Sequence, residues 1–216
     1  MTTLTQMAPM LDRLFTLCDE ARPVLSSFPA SERERLMRSK TEYLELYSHL
    51  KAFPLAVSRE TGALLYMLAR SSGAKTIVEF GTSFGVSTLH LAAALRDNWG
   101  NGGRLITTEF EPSKAERAQE HFVAGGVSDL IEIRLGDALQ TLAVDLPETI
   151  DLVLLDGAKA LYPEVLALLE SRLRPGALII ADNADYAPDY MARVRSPANG
   201  YLSVPFGEDV ELSIRL

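Results

Sequence analysis

An α/β fold with a parallel sheet, preceded by a helical segment, follows from three observations. Five apolar, strand-like runs each end on an acidic side chain, the stretches between them carry helical spacing, and the texture of the chain changes at about residue 75. The runs are T-I-V-E-F-G around Glu79, R-L-I-T-T-E to Glu109, L-I-E-I-R-L-G-D to Asp137, D-L-V-L-L-D to Asp156 and A-L-I-I-A-D-N to Asp182. Strands alternating with helices pack as a parallel sheet wrapped by those helices. Ligands bind outside the carboxyl ends of such strands, so acids repeated at those ends describe one site.

Residues 1–74 read as three or four helices. Apolar side chains recur at helical spacing through Leu11, Leu14, Phe15 and Cys18, then Leu36, Tyr43, Leu46, Tyr47 and Leu50, then Leu64, Leu65 and Leu68. Ser31 with Glu34 fits a capping box that opens one of them. These helices are expected to pack on the site and cover part of it, while residues 75–216 form the ligand-binding core of the same structural domain. Within that core Pro112 reads as an early helix residue, Gly125-Gly126 as a helix end and Pro175-Gly176 as a turn before a strand. Trp99, between Asn98 and Gly100, reads as a loop residue over the sheet's edge. Y-L-S-V-P-F and V-E-L-S-I-R-L, joined by Gly207-Glu208-Asp209, read as an antiparallel hairpin at the edge. Residues 196–200, S-P-A-N-G, read as the most mobile loop.

Bulk properties narrow the function. The 216 residues are 47% hydrophobic and 23% charged, which suits one large domain with a substantial core. A net charge of −8 without a local basic patch argues against nucleic acid. The single Cys18 excludes an internal disulfide and a multi-cysteine zinc site, and fits a reducing cytoplasm. The first residues lack the pattern of a secretory signal and no apolar run is long enough to span a bilayer, so neither secretion nor a membrane is expected. His49, His90 and His121 lie in helical stretches and read as structural or surface residues. Met7, Met10 and Met67 read as packing residues.

The glycine loop defines the ligand. A dinucleotide fingerprint starting at Gly81 needs glycine at positions 83 and 86, where this chain has Ser83 and Val86. No Lys-Ser/Thr pair follows, so a triphosphate is also disfavoured. Gly81 and Gly85 let the backbone bend and approach a ligand closely. Glu79 beside them repels phosphate and suits a cation such as an ammonium or a sulfonium. Glu109 closes the second strand as an acceptor for a ribose diol; its alternative role, with Glu111, is to decorate the start of the helix opened by Pro112. Joined to the glycine loop, Glu109 reads as part of a site for S-adenosylmethionine.

E-F-G-T-S-F-G-V-S, T-T-E-F, G-D-A-L, L-L-D-G-A-K-A-L-Y and I-I-A-D-N resemble, in order and spacing, the motifs of the metal-dependent catechol O-methyltransferase-like family, which includes the caffeoyl-coenzyme A O-methyltransferases. The resemblance runs from about Val57 to Asn183. It implies a Rossmann-like class I methyltransferase fold, a seven-stranded sheet of order 3-2-1-4-5-7-6 with strand 7 antiparallel. It also implies that Glu79 and Gly81 face the methionine moiety of the cofactor, that Ser87 and the backbone of Val57 meet its carboxylate, that Glu109 holds the ribose, and that Phe110, Asp137 and Ala138 surround the adenine. Asp156, Asp182 and Asn183 are implied ligands of a divalent metal, Asp156 lying beside the cofactor as well, and Lys159 is the implied general base.

Two carboxylates and an amide are hard oxygen donors suited to magnesium, manganese or calcium rather than zinc. A metal beside Lys159 is expected to lower the lysine pKa toward a useful range. The acceptor implied is a small hydroxylated aromatic of catechol type. Where some relatives place an indole beside the adenine this chain has Ala158, and the short stretch after Asn183 leaves Tyr186 and Tyr190 open as pocket or core residues. Two further readings stay open: a metal-independent methyltransferase, and a non-catalytic protein that binds S-adenosylmethionine. The sequence also leaves open whether the N-terminal helices pair two chains in a homodimer.

Overall fold

The computed structural model describes residues 1–26, 29–207 and 209–216. Among them four helices precede the first strand: α1 (Thr3–Ser26), α2 (Ala30–Arg38), α3 (Tyr43–His49) and α4 (Arg59–Ser71). Strands and helices then alternate through β1 (Thr76–Phe80), α5 (Val86–Trp99), β2 (Arg104–Glu109), α6 (Pro112–Ala124), β3 (Ile131–Leu135), α7 (Ala138–Thr141), β4 (Ile150–Leu155), α8 (Tyr162–Leu169), β5 (Leu173–Ala181) and α9 (Pro188–Val194). The hairpin β6 (Tyr201–Phe206) and β7 (Val210–Arg215) ends the chain. Glu208, part of the turn expected between these two strands, lies outside the described residues.

The sheet has the order β3-β2-β1-β4-β5-β7-β6, with β7 antiparallel to both neighbours and the other pairs parallel. The chain winds outward from β1 in one direction and from β4 in the other. The crevice outside the carboxyl ends of β1 and β4 is therefore the topological switch point where such folds bind ligands.

Strand alternation divides the core. Ile77, Leu152, Leu154 and Ile180 join α1, α4 and α5 on one face, while Val78, Phe80, Val153, Leu155 and Ile179 pack on the other with Tyr162, Leu166 and Tyr190. α5 is buried from Val86 to Leu95, because it lies between the sheet and the helices of the N-terminal segment. Leu89, Leu91 and Leu95 each contribute roughly 1.5–3 kcal/mol there by leaving water. A second, small cluster of Leu36 and Leu50 supports α2 and α3.

Four local expectations need correction. Ser31 is inside α2 rather than at its cap: Pro29 precedes the helix and its fixed φ sets the start, so the box has no cap to close. Pro175-Gly176 lies within β5, where the register against β4 shifts, so the turn signal marks a bulge. Trp99 is the last residue of α5 and its indole N–H donates to the Ala74 carbonyl at 2.9 Å. Met67 is exposed on α4, while Met7 is buried and Met10 packs against the core. No helix among the described residues is long and apolar enough to cross a membrane.

Candidate functional site

The acids at the strand ends are placed by the sheet ladder itself. Beyond β4 the Asp156 N–H donates to the Phe80 carbonyl at 2.8 Å, and beyond β5 the Asp182 N–H donates to the Leu155 carbonyl at 2.9 Å. Asp137 caps α7, its carboxylate accepting from the Leu139 N–H at 2.9 Å. Gly81 has φ +106°, and a Cβ there would stand 2.6 Å from the Asp156 carbonyl oxygen, so the two strand ends approach as closely as they do only because residue 81 has no side chain.

A cavity of about 230 Å³ opens at this point. Of the expected site residues, Gly81, Glu109, Phe110, Asp137, Ala138 and Asp156 line it together. Phe110 is 40% exposed, an apolar ring left open beside the cavity. Glu109 is held rigidly: one carboxylate oxygen accepts from the Ser83 N–H at 2.8 Å and the other from the N–H groups of Phe110 and Glu111 at 2.9 and 3.0 Å.

Glu79, Ser87 and Val57 stand outside that lining. Alternation along β1 turns Glu79 toward α5, where it is fully buried. The hydroxyls of Ser87, Thr88 and Thr107 donate to it at 2.6, 2.5 and 2.6 Å. Burial pushes its carboxyl up to about 7, the three hydrogen bonds opposing the shift. Val57 is buried in the segment before α4, and two residues earlier the Leu55 N–H donates to Ser83 Oγ at 2.9 Å, which ties that segment to the glycine loop.

Lys159 begins a short 3-10 turn after Asp156 and is buried between two acids. Its Nζ lies 2.8 Å from Asp156 and 3.9 Å from Asp182. Burial disfavours the ammonium, yet Asp156, Tyr162 and Asp182 outweigh it, so the pKa stands well above the usual lysine value. In this arrangement the lysine itself is the acids' counterion. Burial and the neighbouring Asp156 raise the Asp182 carboxyl to about 8. The Tyr162 hydroxyl donates to the Asp182 carbonyl at 2.7 Å and fixes that backbone. Asn183 adopts a left-handed conformation, φ 49°, and its Nδ2 donates to Asp209 at 2.8 Å, while its Oδ1 accepts no hydrogen bond among the described residues.

The donor chemistry fits a divalent metal: two acids so crowded that Asp182 is pushed toward its protonated form would be relieved by a cation, and an amide oxygen stands beside them. Among the described residues, no group of three or more His, Cys, Asp or Glu side chains is clustered for metal binding.

A second cavity of about 160 Å³ meets the lysine from the other side, lined by Arg38, Lys40, Lys159, Tyr186, Pro188 and Asp189 among others. Tyr186 is thus a pocket residue, whereas Tyr190 is core. From the sequence Ser83 is only a departure from the dinucleotide fingerprint, Asp209 only a turn residue, Tyr43 and Tyr47 only packing residues of a helix, and Lys114 has no role. Tyr43, Tyr47, Ser83 and Lys114 all line the first cavity, and the Tyr47 hydroxyl donates to the Gly157 carbonyl at 3.2 Å. The i, i+4 spacing of the two tyrosines was the available signal.

Comparison with known proteins agrees with this architecture. A family model described as O-methyltransferase matches residues 30–197. A catechol O-methyltransferase of Niastella koreensis is 37% identical over 132 residues, 60% of this chain and 58% of that protein. The catechol O-methyltransferase of Bos taurus is 32% identical over 161 residues, 70% of this chain and 57% of the relative. The chain thus spans under three fifths of the length of these curated relatives. Among solved structures, the O-methyltransferase TomG from Streptomyces achromogenes, involved in tomaymycin synthesis and in complex with SAM, is 30% identical with a TM-score of 0.63, covering 74% of this chain and 82% of that one. A match over residues 30–197 is more than half of the sequence and takes in every strand of the sheet except the final hairpin, and the chain belongs to the O-methyltransferase family.

Proposed function

We propose that the protein is an S-adenosylmethionine-dependent O-methyltransferase acting on a hydroxyl of a small, catechol-like aromatic with divalent metal assistance. The observation that carries this reading is the convergence of Asp156, Lys159 and Asp182, with Asp156 lining the first cavity beside Glu109 and Asp137 and Lys159 lining the second. Glu109 accepts from the ribose, Phe110, Asp137 and Ala138 receive the adenine, and Gly81 leaves room for the methionine portion. Val57 and Ser87 act from behind, through the backbone and hydroxyls that shape the glycine loop.

Asp156, Asp182 and Asn183 Oδ1 would hold the metal. When bound, a divalent cation supplies Lewis acidity that makes a vicinal diol easier to deprotonate and fixes both its oxygens. Lys159 can take the acceptor's proton only after losing its own, and that loss is favoured once Asp156 and Asp182 are engaged elsewhere. The phenolate oxygen then forms its bond to the methyl carbon as the S–CH₃ bond breaks, the bonding pair returning to sulfur to leave a neutral thioether. The residues' part is to hold oxygen, carbon and sulfur in line at near-attack distance. α2 and α3 act as the cover: Tyr43 and Tyr47 close the cofactor cavity and Arg38 and Lys40 border the acceptor side. A cytoplasmic setting fits the lone Cys18.

One observation favours a second reading, metal-independent transfer: Lys159 already pairs with Asp156 at 2.8 Å and reaches Asp182. The test is turnover of diphenols with labelled S-adenosylmethionine. EDTA should abolish methylation and magnesium or manganese restore it. Asp182→Ala should lose it permanently while still binding cofactor. Full activity in excess EDTA would establish the metal-independent reading instead.

A further inference from the structure

Lys114 is a cation with no assigned task. It sits in the first turn of α6, five residues after Glu109, is only 4% exposed, and lines the cofactor cavity. Among the described residues its ammonium has no hydrogen-bond or ion-pair partner, yet it is not fully enclosed, and the side chain borders the cavity. Burial pulls its pKa below the usual lysine value; the acids that oppose this most are Glu109, then Glu111 and Asp156. A buried ammonium without a partner carries a desolvation cost that a surface lysine escapes. A ligand acceptor atom is the natural compensation.

Glu109 identifies that atom. A carboxylate offers about four lone-pair positions, and three of those on Glu109 are already taken by the N–H groups of Ser83, Phe110 and Glu111. One acceptor position remains for a vicinal diol that has two hydroxyls to satisfy. The diol oxygens are also acceptors, and a second protein group that donates to them completes the pairing.

We infer that Lys114 is a cofactor-binding residue that donates to a ribose hydroxyl oxygen of the S-adenosyl ligand while Glu109 accepts from the diol. This rests on the cofactor reading above. It gives the ribose one donor and one acceptor from the two sides of the β2–α6 junction. Lys114 thereby selects a ribonucleoside over a deoxynucleoside.

The test is calorimetry with S-adenosylhomocysteine and its 2′-deoxy and 3′-deoxy analogues, on the wild type and on Lys114→Met, which keeps the length of the side chain and removes the charge. The variant should bind S-adenosylhomocysteine about 10- to 100-fold more weakly, as for a lost hydrogen bond to a charged group. That penalty should vanish for the analogue that lacks the hydroxyl Lys114 contacts, closing a double-mutant cycle. In the absence of ligand the variant should melt no lower than the wild type, because it no longer buries an unpaired ammonium.

Unchanged affinity for S-adenosylhomocysteine in Lys114→Met overturns the inference and leaves the cofactor reading intact. A penalty that persists in full for both deoxy analogues also overturns it, placing the contact elsewhere on the ligand. Failure of the wild type to bind S-adenosylhomocysteine at all removes the cofactor reading itself.

Discussion

The two halves of the crevice neutralise their acids by different means. On the β1–β2–β3 side, Glu109 and Asp137 accept from backbone N–H groups, and Glu79 accepts from three hydroxyls. These partners belong to the fold and cannot leave. On the β4–β5 side, Asp156 and Asp182 face the ammonium of Lys159, a side chain that can change partner or lose its proton. On the function proposed above, the first half would hold one ligand geometry and the second would exchange a cation or a proton. Substitutions in the second half should therefore act on the rate, and those in the first on affinity and stability.

The largest effect that tests this contrast is at Lys159. Lys159→Ala should lower kcat by roughly 10²–10⁴-fold, the range for loss of a general base, with cofactor affinity nearly unchanged. A fall in cofactor affinity of similar size would merge the two halves into one binding network.

Glu79 provides the next test, through stability. Its carboxyl in the folded state, pushed up to about 7, lies above the ordinary value of 4.5 because it is buried. The folded state therefore holds a proton that the unfolded chain gives up. Its favourable contribution is complete below about pH 4.5 and is lost as pH rises through 7. A shift of this size corresponds to roughly 2–4 kcal/mol. Glu79→Gln, which cannot ionise, should flatten this dependence, so that melting curves of the variant fall less than those of the wild type between pH 5 and pH 8. Parallel pH profiles would mean that the hydroxyl cage keeps Glu79 ionised throughout.

The contrast between the halves also explains what could be read from the residues alone. The five acids were legible because a strand and the acid that ends it are contiguous, and the terminal hairpin because its two strands are separated by a short turn. The sheet order came from resemblance, since no local pattern states which strands are neighbours. Lys114 was missed because a lysine in the first turn of a helix normally points to water; only the packing of α6 against the cavity buries it. Tyr47 with Gly157 and Asn183 with Asp209 are contacts across 110 and 26 residues, which no motif spans. Pro175-Gly176 and Ser31 misled for the opposite reason: each has the chemistry of a turn or a cap, but the β4–β5 register and the rigid Pro29 decide the outcome.

The smallest effect, and the sharpest for the first half, is at Glu109. Its carboxylate does two things at once: it satisfies three backbone N–H groups and presents its remaining acceptor position to the cavity. Glu109→Ala should weaken binding of S-adenosylmethionine by roughly 1.5–3 kcal/mol, because donors of the ribose and of the loop are left unpaired. The rate at saturating cofactor should change much less, since the Lys159 cluster is untouched. Calorimetry and saturation kinetics on the same variant separate these quantities. If affinity were unchanged while kcat fell, Glu109 would belong to the exchanging half of the crevice, and the division between fixed partners on one side and a movable proton on the other would not hold.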